Sequence, residues 1–285
     1  MLGSHLAQEL RSHGHEVVAL HRRSAETLVL EEAECELVQG DIRDDAEALA
    51  PLMDGCSHVA HGAALVYADG AWPKIRAVNV DGTRNILTAA RLAGVKHAVH
   101  LSSVAVYGSV SGPVDENSPT DSDLPPNDLY ARSKRESESA ARAVAQAEGF
   151  RLTIVRPAAL YGERDRLLTP RLARLVRLPI LPLVGGGRNA VPIVYAGNAA
   201  HAVELILDAA RGAAASRAPV QAEGAGAEAR AGGFGAPGAG GAPAPRAYNV
   251  GLDHRLTQRD LLEGMARALG KSPRFVKIPD AFVRE

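Results

Sequence analysis

Between residues 16 and 155, short apolar runs alternate with longer stretches patterned at helical spacing. This alternation restricts the fold more than any other feature. The runs lie at 16–20, 35–39, 57–61, 95–101 and 151–155. The stretches between them predict helices over 3–12, 45–53, 72–93 and 128–148, with Gly14 and Gly94 placed to stop the first and third. Strands that read as nearly unbroken apolar runs are buried on both faces, and parallel neighbours need a crossover between them. The expected architecture is an α/β fold, a mainly parallel sheet covered on both sides by helices.

Beyond residue 160 the rhythm loosens. Residues 1–160 are expected to form the main domain and 161–285 a smaller lobe, with sheet-completing elements near 188–210. Predicted pieces are a helix over 167–176, a strand at 191–195 and a helix over 198–210. The Ala/Gly/Pro-rich stretch 211–246 has no periodicity and reads as a mobile insertion. A strand returns at 247–250, and Thr257 is placed to cap a helix reaching 269. No further element is expected before Glu285.

The formal net charge of -1 gives no electrostatic case for nucleic acid or an anionic membrane. No apolar run has the length of a membrane span, and the opening residues lack the basic and apolar regions of a signal peptide. Cys35 and Cys56 form no metal or redox pattern, which fits a reducing, cytoplasmic setting. The ten histidines are scattered without an H-E-x-x-H, and His13-Gly14-His15 reads as a solvated turn, so no metal site is predicted.

Tyr130 and Lys134 stand one helical turn apart, which puts phenol and ammonium on one face. A neighbouring cation favours the phenolate, and a phenol tuned in this way exchanges a proton with an alcohol or ketone near neutral pH. Such a pair also arises on any solvated helix face. Position separates the two readings. Ser102 and Ser103 follow the strand at 95–101, and ligands of open α/β sheets bind beyond the carboxyl ends of strands.

Several blocks, taken in order, resemble the extended short-chain dehydrogenase/reductases, also called NAD-dependent epimerase/dehydratases. Gly3-Ser4-His5-Leu6 is similar to the end of that family's glycine-rich fingerprint. Gly40-Asp41-Ile42-Arg43-Asp44 resembles its segment beside the adenine, and His61-Gly62-Ala63-Ala64 its H-x-A-A. Asn79-Val80-Asp81-Gly82-Thr83-Arg84-Asn85 resembles N-V-x-G-T-x-N, and Arg156-Pro157-Ala158-Ala159-Leu160-Tyr161-Gly162 the turn beside the nicotinamide. The resemblance implies a Rossmann-like, doubly wound sheet with a small C-terminal substrate lobe. It implies Ser103, Tyr130 and Lys134 as the catalytic set. It places Leu2, Gly3, His21, Arg22, Asp41, Ile42, Ala63, Ala64, Asn79, Ser102 and Pro157, with Tyr130 and Lys134, at the cofactor. For Asn79, a packing role stands beside organising a water or the ring.

Two departures shape the expectations. Only the last fingerprint glycine, Gly3, is present, so the chain is read as N-terminally truncated and lacking the family's first strand. After the strand at 16–20 come His21-Arg22-Arg23-Ser24, with no acid for a ribose diol. Two guanidiniums there suit a 2′-phosphate, which favours NADP over NAD, although a solvated basic turn reads the same. Ala159 and Val191 stand where nucleotide-sugar members often carry Asn and Arg, and the segment after Gly162 is closer to the 3β-hydroxysteroid dehydrogenase and dihydroflavonol reductase branch. The expected activity is hydride transfer at a secondary alcohol or ketone of a small molecule. The alternatives are a nucleotide-sugar epimerase or dehydratase, and a non-catalytic dinucleotide binder or inactive fragment. The long helices over 72–93 and 128–148 are similar to those that pair the family's members, so a homodimer is expected.

Overall fold

A computed structural model describes residues 1–66, 72–110, 112–148, 150–215, 245–251 and 255–279. In chain order the elements begin α1 (Leu2–Ser12), β1 (Val18–His21), α2 (Leu28–Glu32), β2 (Glu36–Gln39) and α3 (Ala46–Leu49). Next come β3 (His58–His61), α4 (Trp72–Arg76), α5 (Gly82–Leu92), β4 (His97–Leu101), α6 (Leu129–Glu148) and β5 (Arg151–Pro157). The remainder are β6 (Ala159–Tyr161), α7 (Leu168–Leu175), β7 (Ile180–Val184), β8 (Ile193–Tyr195), α8 (Ala196–Ala215), β9 (Arg246–Val250), α9 (Gln258–Ala268) and β10 (Arg274–Ile278).

The chain divides into two compact units. The larger holds Leu2–Pro157 and Ala199–Val250, and the smaller holds Met1, Ala158–Asn198 and Gly251–Glu285. The units interleave where the sequence suggested one cut near 160, because most of α8 and all of β9 return to the larger unit.

In the larger unit β3, β4, β5 and β9 form one parallel sheet in that order, and β1 pairs in parallel with β2. The two ladders are separate among the described residues, yet Leu20 of β1 and Val59 of β3 pack against one cluster built by Ile42, Leu49, Ile86 and Ala90. β4 is wholly buried, and its alternation sorts the helices. Ala98 joins Leu87, Ala141, Leu152 and Ile154 in the cluster under α5 and α6. Val99 and Leu101 join Leu6, Ala200, Val203 and Leu207 in the cluster under α1 and α8. The helix carrying Tyr130 and Lys134 therefore covers one face of the sheet, and α1 covers the other.

The expected helix over 72–93 is present from Trp72 to Leu92, with a π turn, Ala77–Asp81, joining α4 to α5. The expected insertion at 211–246 lies mostly outside the described residues, and its ends are structured, since α8 runs to Ala215 and β9 begins at Arg246.

In the smaller unit β6 pairs with β8 and β7 with β10, both in parallel. Its core joins Val176, Leu181, Leu183, Leu262 and Ala266. Thr257 caps α9 in a reciprocal capping box with Asp260. The strand β10 corrects the expectation of no terminal element after α9.

Candidate active site

The site grows from the carboxyl end of β4. Lys134 is buried on α6, and its Nζ donates a 2.8 Å hydrogen bond to the carbonyl of Leu101, the last residue of β4. Burial lowers the ammonium pKa to about 8, opposed in part by Glu138 one turn further along. The half-buried ring of Tyr130 has its centroid 6.0 Å from that Nζ. Ser103, two residues past Leu101, is extended and half-buried, and its Oγ accepts from Ala105 N at 3.2 Å to start the 3₁₀ turn Val104–Tyr107. Ser102 is buried and donates its backbone N–H to Val155 on β5. The three proposed catalytic residues thus converge on one strand end.

Side chains that sequence reading passed over hold α6 in that place. Arg156 of β5 clamps Glu138 through Nε–Oε1 at 2.8 Å and Nη2–Oε2 at 2.7 Å, and its Nη1 donates to the Tyr107 hydroxyl at 2.7 Å. That hydroxyl donates in turn to Asn249 of β9. Burial alone would raise the Glu138 pKa, but hydrogen bonds from Arg156 lead the effects that leave it lowered. One turn before Glu138, Arg135 reaches the carbonyls of Val106 and Ser122. α6 is therefore pinned both to β5 and to the turn that Ser103 starts.

The motif around Asn79 is a set of ties. Asn79 Oδ1 accepts from Leu65 N at 2.7 Å, and Nδ2 donates to Leu65 O and to Ser133 Oγ. Both amide hydrogens are spent on holding the loop after β3 against α6, so these bonds describe the packing role. The π turn around Asn79 opens the helix at this tie. Gly82 packs closely on Ile42: a Cβ there would stand 2.8 Å from Ile42 Cδ1, and that side chain would have to shift. Asn85 donates to the Ile42 carbonyl.

Beneath Lys134 lie two stacked imidazoles, His61 and His100, with centroids 5.6 Å apart. Thr83 Oγ1 donates to the Asn79 carbonyl, so toward His61 Nε2 at 3.0 Å it accepts. Ser137 Oγ likewise donates to the Lys134 carbonyl and accepts from His100 Nε2 at 3.0 Å. Both rings therefore carry their proton on Nε2. His100 Nδ1 has no partner. Burial, helped by the Lys134 charge, lowers the His61 pKa to about 3 and that of His100 well below the usual range.

The cofactor candidates line the carboxyl ends of the strands. His21 ends β1, and its Nδ1 sits 3.2 Å from the Arg22 carbonyl. Asp41 and buried Ile42 follow β2, Ala63 and Ala64 follow β3, and Pro157 ends β5. A depression is lined by Arg22, Arg23, Ser24, Asp41 and Arg43. Asp41 is held by Arg43 at 3.0 and 2.7 Å, which lowers its carboxyl pKa to about 2. With that acid matched by Arg43, Arg22 and Arg23 leave the depression in net positive charge. Leu2 and Gly3 open α1, where first-turn N–H groups point out of the helix and favour an anion. This donor set fits the phosphates of a dinucleotide.

The sequence pattern of the NAD dependent epimerase/dehydratase family matches residues 1–218. The chain belongs to this family. Among relatives, a 2-alkyl-3-oxoalkanoate reductase of Stenotrophomonas maltophilia is 31% identical over 214 residues, 73% of this chain and 62% of that protein. An N-acetyl-alpha-D-glucosaminyl-diphospho-ditrans,octacis-undecaprenol 4-epimerase of Escherichia coli O157:H7 is 40% identical over 124 residues, 42% of this chain and 36% of that protein. The chain thus spans roughly a third to just under two thirds of these relatives. Among solved structures, the dTDP-glucose 4,6-dehydratase DesIV of Streptomyces venezuelae, with NAD and TYD bound, superposes with a TM-score of 0.70 at 28% identity, covering 98% of this chain and 81% of that one. The family's NAD-binding, Rossmann-like fold is the fold of this chain. Among the described residues no helix is long and apolar enough to cross a membrane.

Proposed function

We propose that this protein is an NAD(P)-dependent oxidoreductase acting at a secondary alcohol or ketone of a small organic substrate. The observation that carries the reading is the buried Lys134 ammonium, fixed on the last carbonyl of β4 one turn from Tyr130. When bound, the nicotinamide supplies hydride exchange at the carbinol carbon. Tyr130 gives its proton to the ketone oxygen in reduction and takes it back in oxidation. Lys134, cationic below about pH 8, favours the phenolate and holds the cofactor ribose. Ser103 orients the substrate oxygen. Arg22 and Arg23 take the 2′-phosphate of NADP, which this reading prefers to NAD.

A second reading keeps the cofactor in place and cycles a sugar nucleotide; the Streptomyces venezuelae protein is named for one, a dTDP-glucose 4,6-dehydratase. Ala159 and Val191 lack the polar groups expected for a diphosphate, which favours the first reading. Isotope transfer separates the two. The protein is incubated with NADPH deuterated at C4 and a panel of 3-oxo acid and cyclic ketones. Deuterium at the product carbinol carbon is expected; label that stays with the cofactor, with turnover only of UDP- or dTDP-sugars, refutes the oxidoreductase reading.

A further inference from the structure

On the sheet face opposite α6, the end of α1 meets the middle of α8. Glu9, His13 and Glu204 each offer a donor atom, all within 4.8 Å of one another. His201 adds a fourth: its Nδ1 lies 2.8 Å from Glu9 Oε1 and 3.6 Å from Glu204 Oε2. His13 Nδ1 donates to the Glu9 carbonyl at 3.0 Å, so Nε2 is the ring nitrogen with a lone pair to offer a metal. Bonds of about 2.0–2.2 Å in tetrahedral geometry hold donor atoms roughly 3.3–3.6 Å apart, so the 3.6 Å His201–Glu204 pair already stands near metal-ligand spacing.

The second observation is Glu204 itself. Its side chain is only 3% exposed, and its Oε2 is buried without a hydrogen-bond partner, since His201 stands beyond bonding reach. A buried carboxylate oxygen left unpaired is costly, and a cation among these donors would satisfy it. Asp208, one turn further along α8, brings a second carboxyl group against Glu204, and its Oδ1 lies 3.4 Å from His15 Nε2. His15, Glu204 and Asp208 also lie within 4.8 Å of one another, so Glu204 is common to both triads.

We propose that Glu9 of α1 and His13 just after its end, with His201 and Glu204 of α8, bind a divalent first-row transition metal such as Zn²⁺. Two imidazoles and two carboxylates suit Zn²⁺, Co²⁺ or Ni²⁺ better than Mg²⁺ or Ca²⁺, which prefer all-oxygen sets. All four ligands come from protein, the pattern of a structural site. Glu9 and His201 are 192 residues apart in sequence, so the ion would tie α1 to α8 across the fold. Such a site would depart from the expectation of a solvated turn without metal at His13-Gly14-His15. Sequence spacing could not reveal it, because only the packing of α1 beside α8 brings the two halves together.

The test is calorimetric titration of the chelator-treated, dialysed full-length chain with Zn²⁺, alongside thermal unfolding. One ion per chain with micromolar or tighter Kd is expected, together with a rise in Tm that Mg²⁺ does not reproduce. Glu204→Gln should weaken binding at least tenfold. Should that variant fold poorly, His13→Ala and His201→Ala carry the same expectation at exposed positions. The double variant Cys35→Ser, Cys56→Ser should bind as the parent does. Absence of Zn²⁺ binding below millimolar concentration overturns the proposal. So does affinity unchanged by the His13 and His201 substitutions, or lost with the cysteines.

Discussion

Acid should destabilise this protein through its buried imidazoles, and His100→Gln should relieve about a third of the effect. His61, His97 and His100 are all buried, and burial is the main cause that lowers their pKa values, to about 3 for His61, about 4 for His97 and well below the ordinary range for His100. The unfolded chain, with histidines near 6.5, binds protons that the folded chain refuses. Stability attributable to these groups is therefore complete above that value and drains away as pH falls below it. At pH 5 each ring costs about 2 kcal/mol relative to pH 7.5, and the three together about 6 kcal/mol. That is a large share of a typical folding free energy of about 5–15 kcal/mol. In the fold, protonation of His100 would place a second N–H on Nδ1, which has no acceptor. Glutamine keeps a donor for Ser137 and cannot titrate. Urea unfolding at pH 7.5 and 5.0 measures both proteins. The loss on acidification should be about 2 kcal/mol smaller in the variant, with the rest of the chain's titration cancelling in the comparison. An equal loss in the two proteins would refute the assignment of His100 as a buried neutral ring.

Other consequences follow from the same geometry. Glu138→Ala leaves Arg156 buried without its partner, and urea unfolding should show a loss of about 3–5 kcal/mol. Arg22→Ala with Arg23→Ala should raise the Kd for NADPH by tenfold or more and that for NADH by less than threefold; equal losses would make the basic turn ordinary surface. NADPH affinity should weaken as pH rises through about 8, where Lys134 loses its charge, and a flat profile from pH 6.5 to 9.5 would contradict its place at the ribose. The expected homodimer is checked by light scattering of the purified chain, where a monomer mass rejects it.

The main sheet was largely legible because short strand-like runs alternate with helix-patterned stretches at regular spacing between residues 16 and 155. β1 to β5 fall within two residues of their expected starts and ends. What escaped depends on distant partners. β7 contains Pro182, which weakens a strand signal, and β10 stabilises it only through pairing from the far end of the chain. The π turn at Ala77–Asp81 has no local signature, because Asn79 is drawn out by Leu65 and Ser133. Tyr130, Lys134 and Ser103 were visible as a spacing beside a strand end. The Glu138–Arg156 clamp was not, because 18 residues and a strand boundary separate its halves, and the motif that contains Arg156 gives no sign of a carboxylate partner on α6. Asn79 was visible as a motif member, but only the coordinates show that its amide is consumed by structural ties.

In the proposed function the phenol of Tyr130 moves the proton that accompanies hydride transfer. Tyr130→Phe removes one oxygen and leaves the ring beside Lys134. Steady-state reduction of the best ketone identified by isotope transfer, with NADPH binding followed by fluorescence, tests it directly. The account predicts that kcat falls by about 10²–10⁴-fold while the cofactor Kd stays within threefold. A variant that keeps more than half of its activity would contradict it.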